Sequence, residues 1–307
     1  MNARFAIIDL GTNTFHLLVA EKQGTKASVL HREKVGVKLG KAGINQDVIQ
    51  PEAIERAIAA LQAFKNKMDT FGVSAVHAFG TSAFRNAENS REVTEQIKNQ
   101  TGITVRILSG AEEAQMIYRG VASAINITND IGLIMDIGAG SVEFILADQH
   151  QPLWSKSLEL GAQRIIEMFS ISDPITPEEI RNINALLDQS LREVDEAVIR
   201  WNPKTLIGSS GSFDTLSDMY CREYGIPVTD RDAETPLTID FVRRAHEEII
   251  RSRRAERLQL PGMIELRVDL IVVGSCMVRY ILNKYQISQI RVSRYSLKEG
   301  ALAMLSE

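Results

Sequence analysis

Ala6-Ile7-Ile8-Asp9-Leu10-Gly11-Thr12-Asn13-Thr14, followed by Phe15-His16-Leu17-Leu18-Val19-Ala20, is the stretch on which the fold turns. It reads as an apolar strand ending in aspartate, a short glycine-containing turn with hydroxyl residues, and a second apolar strand. Far downstream the same order recurs as Leu133-Ile134-Met135-Asp136-Ile137-Gly138-Ala139-Gly140-Ser141, then Val142-Glu143-Phe144-Ile145-Leu146-Ala147. Asp9 matches Asp136, Gly11 matches Gly138, Thr14 matches Ser141 and Ala20 matches Ala147. The separation is domain-sized and far exceeds a solenoid period. Two similar domains in one chain are the simplest account.

Composition agrees. A chain of 307 residues, 44% hydrophobic and 24% charged, has ample apolar surface for two cores. Between the copies, helices and strands alternate. Pro51 opens an amphipathic helix with Ile54, Ile58, Leu61 and Met68 on one face, closed by Gly72. A strand at 73–79, a loop at 80–89, a polar helix to Gly102 and a strand at 103–108 follow. Ser109 and Glu112 then form a capping box for the next helix. The polar stretch 126–130 marks the first domain boundary. The second half holds helices near 177–201, a strand at 205–207, a Gly/Ser turn, and two long helices after Thr238 and Glu265. The expected fold class is α/β, with mixed sheets covered by helices.

Several function classes drop out. The net charge of −4 means that a phosphate-rich ligand must be held by local loops and not by global attraction. The five histidines form no ligand-spaced cluster, which argues against zinc. Cys221 and Cys276 read as reduced, buried thiols. No apolar run reaches membrane-spanning length, and the N-terminus enters a strand pattern directly, so a cytoplasmic setting without a membrane partner is expected. There is no Gly-Lys-Ser/Thr phosphate loop. Gly138-Ala139-Gly140 resembles the start of a dinucleotide fingerprint, but Glu143 stands at its third glycine and a strand follows where a helix must open.

The two turns suit phosphate. Glycine-rich turns expose backbone N–H groups, and Thr12, Asn13, Thr14 and Ser141 add side-chain donors. The aspartates at the strand ends, Asp9 and Asp136, can orient a divalent cation through waters, as Mg²⁺ prefers. Tight hairpins shaped only by turn geometry are the alternative, and the duplication favours a phosphate clamp. Arg243, Arg244, Arg251, Arg253, Arg254 and Arg257 are interleaved with Glu247, Glu248 and Glu256. They read as a salt-bridged face, so nucleic acid is not an expected partner.

Four motifs in order carry a resemblance: Asp9-Leu10-Gly11-Thr12-Asn13-Thr14, Thr81-Ser82-Ala83-Phe84-Arg85, Gly110-Ala111-Glu112-Glu113-Ala114, and Asp136-Ile137-Gly138-Ala139-Gly140-Ser141-Val142-Glu143. Gly208-Ser209-Ser210-Gly211-Ser212 and Leu297-Lys298-Glu299-Gly300 extend it. Together they resemble the exopolyphosphatase/guanosine pentaphosphate phosphohydrolase family of the actin-like superfamily, in its short two-domain form. Ala139, Val142 and Lys298 depart from the family's usual glycine, threonine and arginine.

The resemblance implies duplicated actin-like (ribonuclease H-like) domains facing across a cleft. Domain I would span 1–125 plus a returning C-terminal helix, 297–307, capped by Ser296 and Glu299; domain II would span 126–296. It implies Glu113 as catalytic base, with Glu112 occupied by its own helix terminus, and Arg85 as a grip on phosphate. Gly11, Thr12, Asn13 and Thr14 would form the first clamp, and Gly138, Ala139, Gly140 and Ser141 the second. Asp136 and Glu143, with Asp9, would hold Mg²⁺. The expected activity is hydrolysis of terminal phosphate from polyphosphate, with guanosine pentaphosphate as alternative substrate. An actin-like ATPase or kinase and a non-catalytic polyphosphate or alarmone binder are the competing classes. A homodimer is the expected assembly.

Overall fold

A computed structural model of the chain describes residues 3–24, 26–127, 130–229 and 232–306. The chain divides into two units, 1–120 with 297–307, and 121–296.

In the first unit, β1 (Ala3–Leu10) carries Ala6, Ile7, Ile8 and Leu10 fully buried. A strand buried on both faces must lie inside its sheet, and β1 is central. Antiparallel β2 (Thr14–Gln23) and β3 (Lys26–Gly36) lie on one side of it. After α1 (Pro51–Thr70) comes β4 (Ala75–Gly80), parallel to β1 on its other side. Two helices, α2 (Ser82–Asn86) and α3 (Ser90–Thr101), precede β5 (Val105–Ile107), and α4 (Gly110–Ala124) follows it. The sheet order is β3-β2-β1-β4-β5.

The second unit repeats this arrangement. It contains β6 (Gly132–Ile137), β7 (Val142–Ala147), β8 (Pro152–Leu158), α5 (Ala162–Phe169), α6 (Pro177–Ser190), α7 (Arg192–Trp201) and β9 (Thr205–Ser209). Then come α8 (Gly211–Glu223), β10 (Glu234–Thr235), α9 (Ile239–Arg251), α10 (Arg254–Arg257), α11 (Leu270–Lys284) and β11 (Gln289–Ser293). Its sheet order, β8-β7-β6-β9-β11-β10, has two antiparallel strands on one side of a wholly buried β6 and parallel strands on the other. Only the two-residue β10 is added. The duplicated actin-like α/β fold is thus written in the strand order of both sheets.

Local chemistry explains most elements. Pro51 opens α1, and Ala53, Ala57, Leu61, Phe64 and Met68 form its buried face, with Ile54 only partly buried. Gly102 ends α3 at φ 74°, the left-handed position that glycine adopts without strain. The strand expected at 73–79 is Ala75–Gly80, because the Val73 N–H is bonded to Met68 O at the end of α1 (3.2 Å) and so does not join the ladder. The expected loop 80–89 contains α2, which lacks any side-chain cap bond and so gave no sequence signal. The helix expected after Glu265 begins at Leu270.

The first division falls inside α4 and not in the polar stretch 126–130, of which 128 and 129 lie outside the described residues. Val121, Ile125 and Ile127 are buried, and the Asn126 carbonyl accepts from Arg291 of β11 at 2.9 Å, so this segment belongs with the second sheet. Cys221 and Cys276 are buried free thiols. Among the described residues no helix is long and apolar enough to cross a membrane.

The chain ends in α12 (Leu297–Ser306), which groups with the first unit. Buried Glu299 faces Arg32 of β3 at 3.8 Å and Lys298 at 3.2 Å, and Lys22 donates to the Leu305 carbonyl at 2.8 Å. Gly300 lets α12 lie directly on α4: a Cβ there would stand 1.7 Å from the Met116 carbonyl oxygen. Gly300→Ala should therefore cost about 1–3 kcal/mol, the usual penalty of overpacking. An unchanged denaturant midpoint would show that this contact does not hold the terminal helix.

Candidate active site

Both turns are built alike. Gly11 N–H donates to Thr14 O at 3.2 Å, and Gly138 N–H donates to Ser141 O at 3.0 Å. A Cβ on either glycine would lie 2.9 Å from that acceptor oxygen, so both turns close tightly only with glycine.

In the second turn, the carbonyl of Gly138 accepts from Ala162 N–H (3.1 Å), that of Ala139 from Gln163 (2.9 Å), and that of Gly140 from Gly161 (3.1 Å). Buried Arg164 adds an Nε–H bond to Gly140 O at 3.2 Å. In a trans peptide the carbonyl and the following N–H point opposite ways. The N–H groups of Ala139, Gly140 and Ser141 therefore face away from α5, and among the described residues none donates to a backbone acceptor. Three neighbouring outward amides can receive an anion. The first N–H groups of α5 are spent on the turn itself. Gly161 permits this approach, since a Cβ there would meet the Ala139 carbonyl carbon at 2.2 Å.

The first turn follows the same rule. Thr12 O accepts from Gly40, and Asn13 O accepts from Val37 and Lys38, so the amides of Asn13 and Thr14 face the other way. Buried Thr12 Oγ1, Asn13 Nδ2 and Thr14 Oγ1 have no hydrogen-bond partner among the described residues. Burying three polar atoms unsatisfied would cost about 1–3 kcal/mol each, a cost that an anion seated in the turn removes.

The acidic residues of the second unit stand in one cross-strand row. Ser209, Asp136, Glu143 and Ser157 are direct neighbours across β9, β6, β7 and β8, and side chains so aligned share a face. Asp136 Oδ2 accepts from Ser209 (2.6 Å), Ser210 (2.8 Å) and Ser296 (2.5 Å). Glu143 accepts from Ser157 at 2.7 Å. The two carboxylates and their hydroxyls offer only oxygen, the donor set of a hard, hydrated cation such as Mg²⁺. Asp9 belongs to the other unit, next to its own turn. Among the described residues no three His, Cys, Asp or Glu side chains gather as a metal group.

Arg85 and Glu113 meet in the first unit. Arg85 Nη1 donates to Glu113 Oε2 at 2.8 Å and to Leu108 O at 3.2 Å, and Glu113 is 6% exposed. Thr81 N–H bonds Leu10 O and Leu108 N–H bonds Gly80 O. The turn, Arg85 and Glu113 thus share the carboxyl ends of β1, β4 and β5, where open α/β sheets bind ligands. Adjacent Glu112 is committed elsewhere. The Ser109 N–H, the Ser109 hydroxyl and Arg106 hold its carboxyl down to about 2. A carboxylate pKa lowered by folding stabilises above its ordinary value of 4.5, and this helix cap weakens as pH falls toward 2.

Arg267 was not legible in the sequence. A Cβ on Gly211 would lie 1.9 Å from its guanidinium carbon, so the group rests on the backbone at the start of α8, beside Ser209 and Ser210. Burial pulls its pKa down, opposed by the charges of Asp214 and Asp136. It is a cation beside the second turn's acidic row. The arginine-rich segment contributes no such group. Arg244 pairs with Glu223 (2.9 Å), Arg251 with Glu247 (3.1 Å), Arg254 with Asp269 (3.1 Å) and Arg257 with Asp173 (2.7 Å).

Ser210 has φ 67° and ψ −179°, a region costly to any residue but glycine. The surroundings, including the bond of its hydroxyl to Asp136, hold the residue there against a strain of about 1–3 kcal/mol. Ser210→Gly should accordingly be more stable than Ser210→Ala by about that amount, because both lose the hydroxyl and only glycine relieves the backbone. Equal unfolding free energies for the two variants would contradict the strain.

Comparison with known proteins converges on one family. The profile of the Ppx/GppA phosphatase family matches residues 18–306. The crystal structure of an exopolyphosphatase from Cytophaga hutchinsonii is 38% identical and superposes with a TM-score of 0.95, over 99% of this chain and 97% of that one. The Ppx/GppA family member of Aquifex aeolicus is 25% identical with a TM-score of 0.80, over 99% and 98%. Exopolyphosphatase 1 of Mycobacterium tuberculosis is 25% identical across 97% of this chain and 87% of its own. A profile match over most of the chain, joined to a relative that superposes almost throughout, makes this chain a member of the Ppx/GppA phosphatase family, and so an enzyme of phosphoanhydride hydrolysis.

Proposed function

We propose that the chain is an exopolyphosphatase that releases the terminal phosphate of inorganic polyphosphate by attack of water. The observation that carries this reading is the duplicated turn with outward amides, in a protein whose net charge of −4 offers no general attraction for a polyanion. Phosphoryl transfer asks the protein chiefly to position and to stabilise charge. Outward amides and the buried donors of Thr12, Asn13 and Thr14 suit phosphoryl oxygens. Mg²⁺, held by Asp136 and Glu143 through waters, would supply charge neutralisation on the phosphate chain.

Glu113 is the proposed base. Its bond to Arg85 orients the carboxylate, and a guanidinium is the group best suited to hold phosphate oxygens bidentately. Arg85 therefore has two roles, orienting the base and gripping a phosphoryl oxygen. Phosphate release from polyphosphate, guanosine pentaphosphate and ATP, measured side by side with and without Mg²⁺, tests the reading. Polyphosphate should be hydrolysed fastest, and only with Mg²⁺. Guanosine pentaphosphate turned over fastest would make the alarmone the substrate, ATP turned over fastest would favour the kinase-like class, and no release would favour a binding module.

Two variant sets follow. Glu113→Gln should lower turnover about 10²–10⁴-fold, the worth of a positioned general base. It should also cost about 1–3 kcal/mol of stability, because Arg85 loses a charged acceptor in a buried place. Glu112→Gln keeps a capping-box side chain and should leave the rate nearly unchanged. Rate loss in the Glu112 variant alone would put the base one residue earlier. Asp136→Asn or Glu143→Gln should raise the Mg²⁺ concentration needed for half-maximal rate. A wild-type Mg²⁺ response in either variant would remove that residue from the proposed cation site.

A further inference from the structure

No step of the proposed hydrolysis uses Arg164, a buried cation in the first turn of α5 that is 7% exposed. It meets the second phosphate turn twice. Its amide N–H bonds Ala139 O at 3.3 Å, and its Nε–H bonds Gly140 O at 3.2 Å. Another edge of the same guanidinium, Nη2, donates to Glu159 Oε2 at 3.2 Å. In the first turn the carbonyl that matches Gly140 is that of Asn13, and it is met by the neutral amides of Val37 and Lys38. Enclosing a charge carries a desolvation cost that a neutral amide avoids. Turn geometry alone therefore does not call for an arginine.

The peptide between Gly140 and Ser141 supplies the reason. Its C=O and N–H are antiparallel within one plane, so a donor on the oxygen lies opposite any acceptor of the Ser141 N–H. The Nε of Arg164 consequently stands about 5 Å behind the Ser141 nitrogen. From there the cation polarises the peptide, which strengthens the outward N–H as a donor. It also attracts an anion directly, through an interior that screens poorly.

Glu159 does not cancel this field. The carboxylate contacts Nη2, whereas the Nε–H is the edge that meets the turn. The arginine side chain is 9% exposed and that of Glu159 37%, so solvent screens the carboxylate more than the cation. The ion pair presents its positive end to the turn. We propose that Arg164 is a positioning residue of the second turn: it fixes the Gly140–Ser141 peptide and charges the anion site from behind, with Glu159 as the counter-ion that weakens its effect. The proposal rests on the phosphate reading of that turn.

The test is a ¹⁵N–¹H titration with inorganic tripolyphosphate in the presence of Mg²⁺, taking Kd from the amides of Ala139, Gly140 and Ser141. It compares the parent chain with Arg164→Gln, Arg164→Lys and Glu159→Gln, each required to keep the parent spectrum away from the turn. Arg164→Gln should raise Kd about tenfold or more, and Arg164→Lys, which keeps the charge, should stay within about threefold of the parent. Glu159→Gln should bind at least as tightly as the parent. Arg164→Gln and Glu159→Gln break the same ion pair, so a merely structural pair would weaken binding in both. Should Arg164→Gln fail to fold, Glu159→Gln decides by the direction of its effect. The inference is overturned if Arg164→Gln stays within about twofold of the parent, if Arg164→Lys is as weak as Arg164→Gln, or if Glu159→Gln loses about tenfold. Amides that saturate alike in the parent and in Arg164→Gln overturn this inference alone. Amides that do not move in the parent overturn the phosphate reading, and this inference with it.

Discussion

What the second unit can do with an anion depends on where the carbonyls of Gly138, Ala139 and Gly140 point. They point at the start of α5, and the planarity of the peptide turns the next three amides outward. The rest of the unit serves this geometry. Gly138 closes the turn, Gly161 lets α5 come within reach, and buried Arg164 braces the Gly140 carbonyl with a charged donor. The first turn reaches the same orientation through different acceptor partners, the amides of Val37, Lys38 and Gly40. Two solutions to one constraint are what a duplicated domain produces when its surroundings diverge.

Around each turn, buried charge is allowed only where it is answered. A carboxylate as enclosed as Glu113 would be costly alone, and Arg85 meets it at 2.8 Å. Asp136 is answered by three serine hydroxyls, one of them from a residue held in an unfavourable backbone region. Glu143, the one charge in a fully buried strand, has Ser157 opposite it. These arrangements stabilise charges that folding alone does not require. Strained backbone and perturbed, buried charge are features that functional sites concentrate.

The features legible in the sequence were those decided locally. The echo survived because a central strand buried on both faces leaves an unbroken apolar run before its aspartate, whatever surrounds it. The Ser109–Glu112 cap was legible because both partners lie within one turn of helix. The Arg85–Glu113 pair was not, since it depends on α2, a short helix with no capping signal, bringing together residues from two elements. Arg267 escaped notice because its place is defined by the missing side chain of Gly211, which only tertiary structure reveals. The first division lay inside α4 because buried Val121, Ile125 and Ile127 outweigh the polarity of the residues that follow.

The central claim is that the turns bind phosphoryl groups through their outward amides. Amide ¹⁵N–¹H shifts, recorded while inorganic tripolyphosphate is titrated into the protein with Mg²⁺ present, test it most directly. The account predicts saturable shifts at Asn13, Thr14, Ala139, Gly140 and Ser141, with the inward-bonded amides of Gly11 and Gly138 moving least among the turn residues. Shifts confined to the arginine-rich helices, with those five amides unmoved at saturation, would contradict it.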